Sequence, residues 1–286
     1  MKQRLDKTND WAKATPRVIL HSNLPLIPWM HPIMGRLPGT MPVDIDNWLL
    51  KDEVFSQQMA YRDHLIERRR DVVFHCLEGA MDAATELRDT LANELPNIAG
   101  YAYKGGQLTR PDGITIDLSN DHPLIVASRL VQEDLCLLQQ DGSAHILVGG
   151  TVCFPARWTL SQKMERSLTS LHHPVDAYDE NLARRVERMF SHIRPEQPLM
   201  RGNYLIFTDP ELHQPAEEGE GRPHPSLAPR YVRVERQTLR RLPETGMLVF
   251  AIHTCLVRAS DLSEPEYQQL LQKRPHLAIP SGRDCE

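Results

Sequence analysis

The chain has 286 residues, 41% of them hydrophobic, enough to bury the core of one large domain or of a core domain with elaborations. Charged residues of both signs make up 25% and the formal net charge is -5, so no basic field exists of the kind that neutralises phosphate backbones, and nucleic acid is not expected as a partner. The cysteines at 76, 136, 153, 255 and 285 are scattered, form no CxxC pair and read as reduced thiols. Met1 to Asp10 is polar and lacks the apolar centre of a signal peptide, and no later stretch is long enough to cross a bilayer, which predicts a cytoplasmic protein without a membrane partner.

The elements divide the chain into a proline-rich arm (1–43), a main domain (44–258) and a C-terminal helix and tail (259–286). From Pro16 to Pro42 the prolines forbid a regular helix and predict an extended arm wrapped on a domain surface. Lys51 to Arg70 has helical character. Val73 to Leu95 carries Phe74, Leu77, Met81, Ala84, Leu87, Leu91 and Leu95 at three- and four-residue steps, which predicts an amphipathic helix. Gly105-Gly106 and the turn from Arg110 to Gly113 separate short strands in "YAYKGGQL" and "ITIDL". The apolar spacing from Pro123 to Leu138 reads as a helix, followed by a buried strand in "HILVGGTVCF".

Two helices are expected over Leu160 to Leu171 and Asp179 to Phe190, broken at "HHPVD" by Pro174. "NYLIF" (203–207), "YVRVERQTL" (231–239) and "GMLVFAIHTCLV" (246–257) are strands, the last two joined by "PETG" and so expected to pair antiparallel. Between Asp209 and Pro229 an acidic, proline-bearing run reads as a surface excursion, and Ser263 with Glu266 forms a capping box before a terminal helix. Helices and antiparallel-pairing strands both occur, with helical segments before the first strands, so the expected fold class is α+β.

No GxSxG, GxxxxGK[ST] or HExxH sequence is present, so hydrolase, kinase and zinc-protease readings have no support. His172 and His173 stand where an apolar helix meets a proline, a place that can fix an imidazole in direction, although on spacing alone a structural or surface role is the simpler reading. Arg233, Glu235 and Gln237 share one face of a strand by the period of two; the simpler reading turns that face to solvent and packs Val232 and Val234 inward. Arg201 and Asn203 offer a fork of donors and a donor–acceptor pair, or plain strand anchoring. Cys153 follows an apolar strand and reads as a buried, inert thiol, with Phe154 and Trp158 as core.

"VQEDLCLL" (131–138), "CFPARW" (153–158), Lys163, "LHHPV" (171–175), "RGNY" (201–204), "RVERQTLRRLP" (233–243) and "VFAIHT" (249–254) together resemble, in order, the haem-dependent oxidative N-demethylase alpha-subunit-like family, over roughly Asp44 to Leu256. The resemblance implies a PAS-like fold, a twisted antiparallel sheet with helices packed on one side and an N-terminal helical elaboration, holding haem b between a helix and the sheet. It also implies oxygen-dependent N-demethylation of a small amine such as dimethylamine to formaldehyde. Electrons would come from NADPH through a separate subunit carrying FMN and an iron–sulfur centre. Carried over residue by residue, it makes His172 the iron ligand, Arg201 a cofactor-binding residue, and Asn203, Arg233 and Glu235 the catalytic set; His173, His192 and His253 stay open as alternative ligands. A gas-binding sensor and a haemless paralogue are the alternatives of another class.

The chain departs from the family pattern at three places. The usual PVPG is "PVDA" with Asp176 and Ala177, Asn-Trp is Asn203-Tyr204, and Ile-Arg-Thr-Tyr is "IHTC" with His253 and Cys255. If position 253 faces the haem, exchanging a permanent charge for a titratable imidazole implies a changed pocket.

Overall fold

In the computed structural model, which describes residues 18–35, 38–142, 144–167, 180–220 and 230–273, an extended arm leads into β1 (Met41–Pro42). Then follow α1 (Phe55–Arg68), α2 (Arg70–Val73), β2 (Phe74–Cys76), α3 (Met81–Glu94) and the short strands β3 (Ala102–Lys104), β4 (Gln107–Thr109) and β5 (Thr115–Asp117). The second half runs α4 (Pro123–Ser128), β6 (Asp134–Asp141), β7 (Ala144–Thr151), α5 (Leu160–Lys163), α6 (Glu180–Ser191), β8 (Leu199–Phe207), β9 (Tyr231–Arg241), β10 (Leu248–Arg258) and α7 (Glu264–Lys273). Seven strands form one sheet in the order β1-β8-β9-β10-β6-β7-β2, with every neighbouring pair antiparallel, and β3-β4-β5 form a small antiparallel sheet of their own.

The pleat sorts the long strands' side chains between two faces. Asn203, Glu235 and Thr254 align across β8, β9 and β10 on what we term the front face, and Tyr204, Val234 and Cys255 align on the reverse. Ala84, Leu87 and Leu91 of α3, with Phe55 and Met59 of α1 and Leu124 of α4, pack with Leu135, Leu137, Val249 and Ala251 on the reverse face. On the front, Leu182, Val186 and Phe190 of α6 and Leu160 of α5 cover Cys136, Leu138, Leu239 and Leu248. Helices thus cover both faces and not the one side that the resemblance implied, so strand residues of both parities are buried.

That double cover explains where the sequence pattern misleads. The expected helix from Pro123 to Leu138 stops at Ser128, and Asp134 to Leu138 is strand; a run apolar on both faces of a strand carries the same composition as a buried helix. The charged face of β9 does not meet solvent: Arg233 is 1% exposed and Glu235 6%. The helix expected from Val73 begins only at Met81, because Phe74–Cys76 pair with Gly149–Thr151 as an edge strand. The helix expected over Leu160 to Leu171 ends at Lys163, with Glu165 in the left-handed region at φ 59° and its N–H donating to the Leu147 carbonyl at 2.8 Å. This stretch covers the β7 edge that the three residues of β2 leave open. Residues 168–171 lie outside the described residues.

Other expectations hold. The Gly105-Gly106 hairpin has both residues at positive φ, β9 and β10 pair antiparallel along their whole length, and Glu266 Oε2 accepts from the Ser263 N–H at 2.7 Å. The arm does wrap the sheet: Trp29 donates through Nε1 to the Glu266 carbonyl at 2.9 Å and packs on Tyr204. Gly202 lets it close in, since a Cβ there would meet Pro28 Cγ at 2.6 Å.

Candidate functional site

The front face is where β8 and β9 bring polar side chains together. Asn203 and Glu235 are direct neighbours in register, as are Arg201 and Gln237. Asn203 Nδ2 donates to Glu235 Oε2 at 3.2 Å and Gln237 Nε2 donates to the same oxygen at 2.9 Å, while Arg233 Nε lies 3.6 Å from Glu235 Oε1. The carboxylate thus has amide donors on one oxygen and a guanidinium near the other, the partners a buried acid requires. Diagonal to Glu235 on the same face Leu205 is half-buried, while the half-buried Phe207 and Phe250 lie further along the strands in opposite directions.

Arg233 is itself committed. It donates Nη1 to the Leu212 carbonyl at 3.0 Å, and Nη2 to the Phe154 carbonyl and to Thr254 Oγ1. Burial lowers its pKa, and Glu235 pulls in the opposite direction. The Phe154 backbone is fixed in turn, because Asp134 accepts from the N–H groups of Cys153 at 2.8 Å and Phe154 at 2.9 Å and pairs with the fully buried Arg62 at 3.0 Å. A chain of contacts thus runs from α1 through Asp134 and the 153–154 backbone to Arg233 and Glu235.

Of the histidines raised by the sequence, His172 and His173 lie outside the described residues, as do Asp176 and Ala177. The described chain on either side of that gap, α5 and α6, packs on the front face. His192 is exposed, its Nδ1 donating to the Arg188 carbonyl at 2.6 Å. His253 is fully buried on the reverse face; burial disfavours its charged form, but Asp52 and Glu133 at its two nitrogens hold its pKa well above the ordinary imidazole value. Cys153 is fully buried and burial pushes its thiol up to about 12, an inert group as expected.

One front-face residue escaped the sequence reading. His145 is fully buried, its Nδ1 is 2.7 Å from Glu187 Oε2, and its Nε2 has no hydrogen-bond partner among the described residues. A carboxylate-held imidazole with an open nitrogen has the form of a metal ligand. However, the ring is packed edge-on against Phe190 beneath α6, so with that helix in place it serves the core. Its only sequence signal was the alternation of β7, which cannot show what lies above it.

A seven-stranded antiparallel sheet covered by helices, with a buried, amide-held carboxylate on its front face, defines an α+β protein. Residues 39–276 match the family described as haem-dependent oxidative N-demethylase, alpha subunit-like, and the chain belongs to that family. The family's description names haem dependence and an alpha subunit, hence an assembly of more than one kind of chain. Among the described residues no helix is long and apolar enough to cross a membrane.

On the front face Arg201 is a cation of the kind that pairs with a haem propionate, and Leu205, Phe207 and Phe250 are apolar side chains spread along that face. His172, which the sequence resemblance implies as the iron ligand, lies outside the described residues.

Proposed function

We propose that this chain is the haem-binding subunit of an oxidative N-demethylase acting on a small secondary or tertiary alkylamine, dimethylamine being the simplest. In this reading the domain of residues 44–258 has a PAS-like fold and holds haem b against its front face, with His172 on the iron and Arg201 at a propionate. The arm (1–43) and the tail (259–286) brace that domain. Bound haem would supply the oxygen activation that converts an N-methyl group to formaldehyde. The electrons come from NADPH through a partner subunit carrying FMN and an iron–sulfur centre.

The chain's own residues bind and orient. Glu235 takes the cationic amine, since a buried carboxylate with an apolar side chain, Leu205, diagonal to it attracts an alkylammonium and leaves its methyl groups against carbon. Asn203 and Gln237 hold the Glu235 oxygen that points between them, and Arg233 fixes the carboxylate from below. The observation that carries this reading is the buried carboxylate of Glu235, gripped by Asn203 and Gln237, diagonal to the half-buried Leu205.

The test is the absorption spectrum of the protein purified from haem-supplemented cells, before and after dithionite, followed by formaldehyde release with dimethylamine and a supplied reductant. A Soret band with stoichiometric haem and amine-dependent formaldehyde is expected. Haem uptake without product would leave a gas-binding role, and no haem uptake would overturn the reading.

A further inference from the structure

The front-face reading leaves unused a second cluster on the reverse face. His21 comes from the arm, Asp52 from the turn before α1, and His253 and Cys255 from β10. Their donor atoms all lie within 4.8 Å of one another. His21 Nε2 is 2.7 Å and His253 Nε2 2.8 Å from the same oxygen, Asp52 Oδ2. His21 is 3% exposed, His253 and Cys255 are fully buried, and the Asp52 side chain keeps 10% exposure. The two-residue step from 253 to 255 puts the imidazole and the thiol on one face of the strand.

The surrounding groups aim these donors inward. Gln132 Nε2 and the Val54 N–H donate to Asp52 Oδ1 at 2.7 and 3.1 Å, which turns Oδ2 toward the imidazoles. Glu133 Oε1 lies 3.2 Å from His253 Nδ1 and also accepts from the Leu50 N–H at 2.8 Å. A carboxylate on the far nitrogen of a histidine is the usual outer support of a metal-bound imidazole, fixing its tautomer and direction.

We propose that His21, Asp52, His253 and Cys255 form a four-coordinate site for a divalent transition ion of the zinc type. Two imidazoles, a thiolate and a carboxylate match the nitrogen, sulfur and oxygen donors zinc accepts in tetrahedral geometry. Magnesium and calcium are disfavoured, because they require oxygen ligands throughout. Four protein ligands leave no open position, so the ion is structural: it staples the arm and the turn before α1 to β10. Without metal, the Leu256 N–H donates to His21 Nδ1 at 3.2 Å, which leaves the ring proton on Nε2 facing Asp52. Coordination through Nε2 moves the proton to Nδ1 and exchanges that long contact for a metal bond, while the His21 N–H bond to the Leu256 carbonyl at 2.8 Å keeps the arm in register.

Metal analysis of the full chain, purified without chelator or affinity metal, tests the site, with zinc and iron counted separately so that the outcome is independent of haem. Stoichiometric zinc is expected. The zinc-stripped protein loaded with cobalt(II) should show tetrahedral visible bands and a near-ultraviolet thiolate-to-cobalt band that Cys255→Ser removes. Glu133→Gln, which keeps all four ligands, should weaken zinc binding by about 10- to 100-fold. Should Cys255→Ser fail to fold, the wild-type cobalt spectrum decides by itself. A folded wild-type chain that takes up neither ion, or a cobalt spectrum without a thiolate band, would overturn the site and leave a hydrogen-bonded clamp.

Discussion

His253 and Glu235 stand on opposite faces of the central sheet, although their strands are direct neighbours: His253 pairs with Arg236 in register, and Glu235 with Thr254. The exchange of the family's Arg and Tyr for His253 and Cys255 therefore falls behind the sheet, and the front-face carboxylate keeps its Asn203, Gln237 and Arg233 neighbours. On the proposed function, with haem on the front face, that exchange bears on how the arm is fastened, through the Asp52 oxygen that His253 shares with His21.

Glu235→Gln removes the charge while leaving an oxygen for the neighbouring amides. On the proposed function, haem content should be unchanged and kcat/KM for the amine should fall roughly 10- to 100-fold, the 1.5–3 kcal/mol of a hydrogen bond to a charged partner. Steady-state formaldehyde assays on haem-matched samples provide the comparison; unchanged kcat/KM would remove Glu235 from substrate binding.

Asp134→Asn strips the counter-charge from Arg62, which is fully buried. Breaking a buried pair from one side costs about 3–5 kcal/mol, so urea denaturation should show a large drop in midpoint at similar slope. A loss below about 1 kcal/mol would mean that the Gln132 carbonyl and the Phe154 ring, the guanidinium's other contacts, are enough to hold Arg62.

His213 is held neutral in the fold, its Nδ1 donating to the Cys153 carbonyl at 2.8 Å, and burial lowers its pKa to about 4. Its ordinary value is 6.5, so between these limits the unfolded chain binds a proton that the folded chain does not. Stability from this group is complete above pH 6.5 and is lost as pH falls toward 4, at about 1.4 kcal/mol per pH unit across the window. Chemical denaturation of His213→Gln as a function of pH should show a shallower acid slope than wild type; parallel curves would assign the acid sensitivity to other groups.

Gly202→Ala places a Cβ against Pro28 and within 3.0 Å of Leu26 Cδ2. The arm must shift, at a cost of about 1–3 kcal/mol as for other overpacking changes. Limited proteolysis should then cleave within residues 18–35 faster than in wild type while the sheet core survives, whereas an unaltered cleavage rate would show that the arm adapts without loosening.

The strands of the sheet's second half, the hairpin turns, the terminal capping box and the inert Cys153 were legible in the sequence, because local alternation, turn chemistry and side-chain type determine them. So was the family, through an ordered set of short motifs spread along the chain. The helix-to-strand change after Ser128, the early end of α5 and the burial of Arg233 and Glu235 were not, since each depends on what covers a strand from another part of the chain. The cluster of His21, Asp52, His253 and Cys255 is the extreme case. Its members come from the arm, a turn and the last strand, no spacing rule joins them, and only the wrapping of the arm behind β10 brings their donor atoms together.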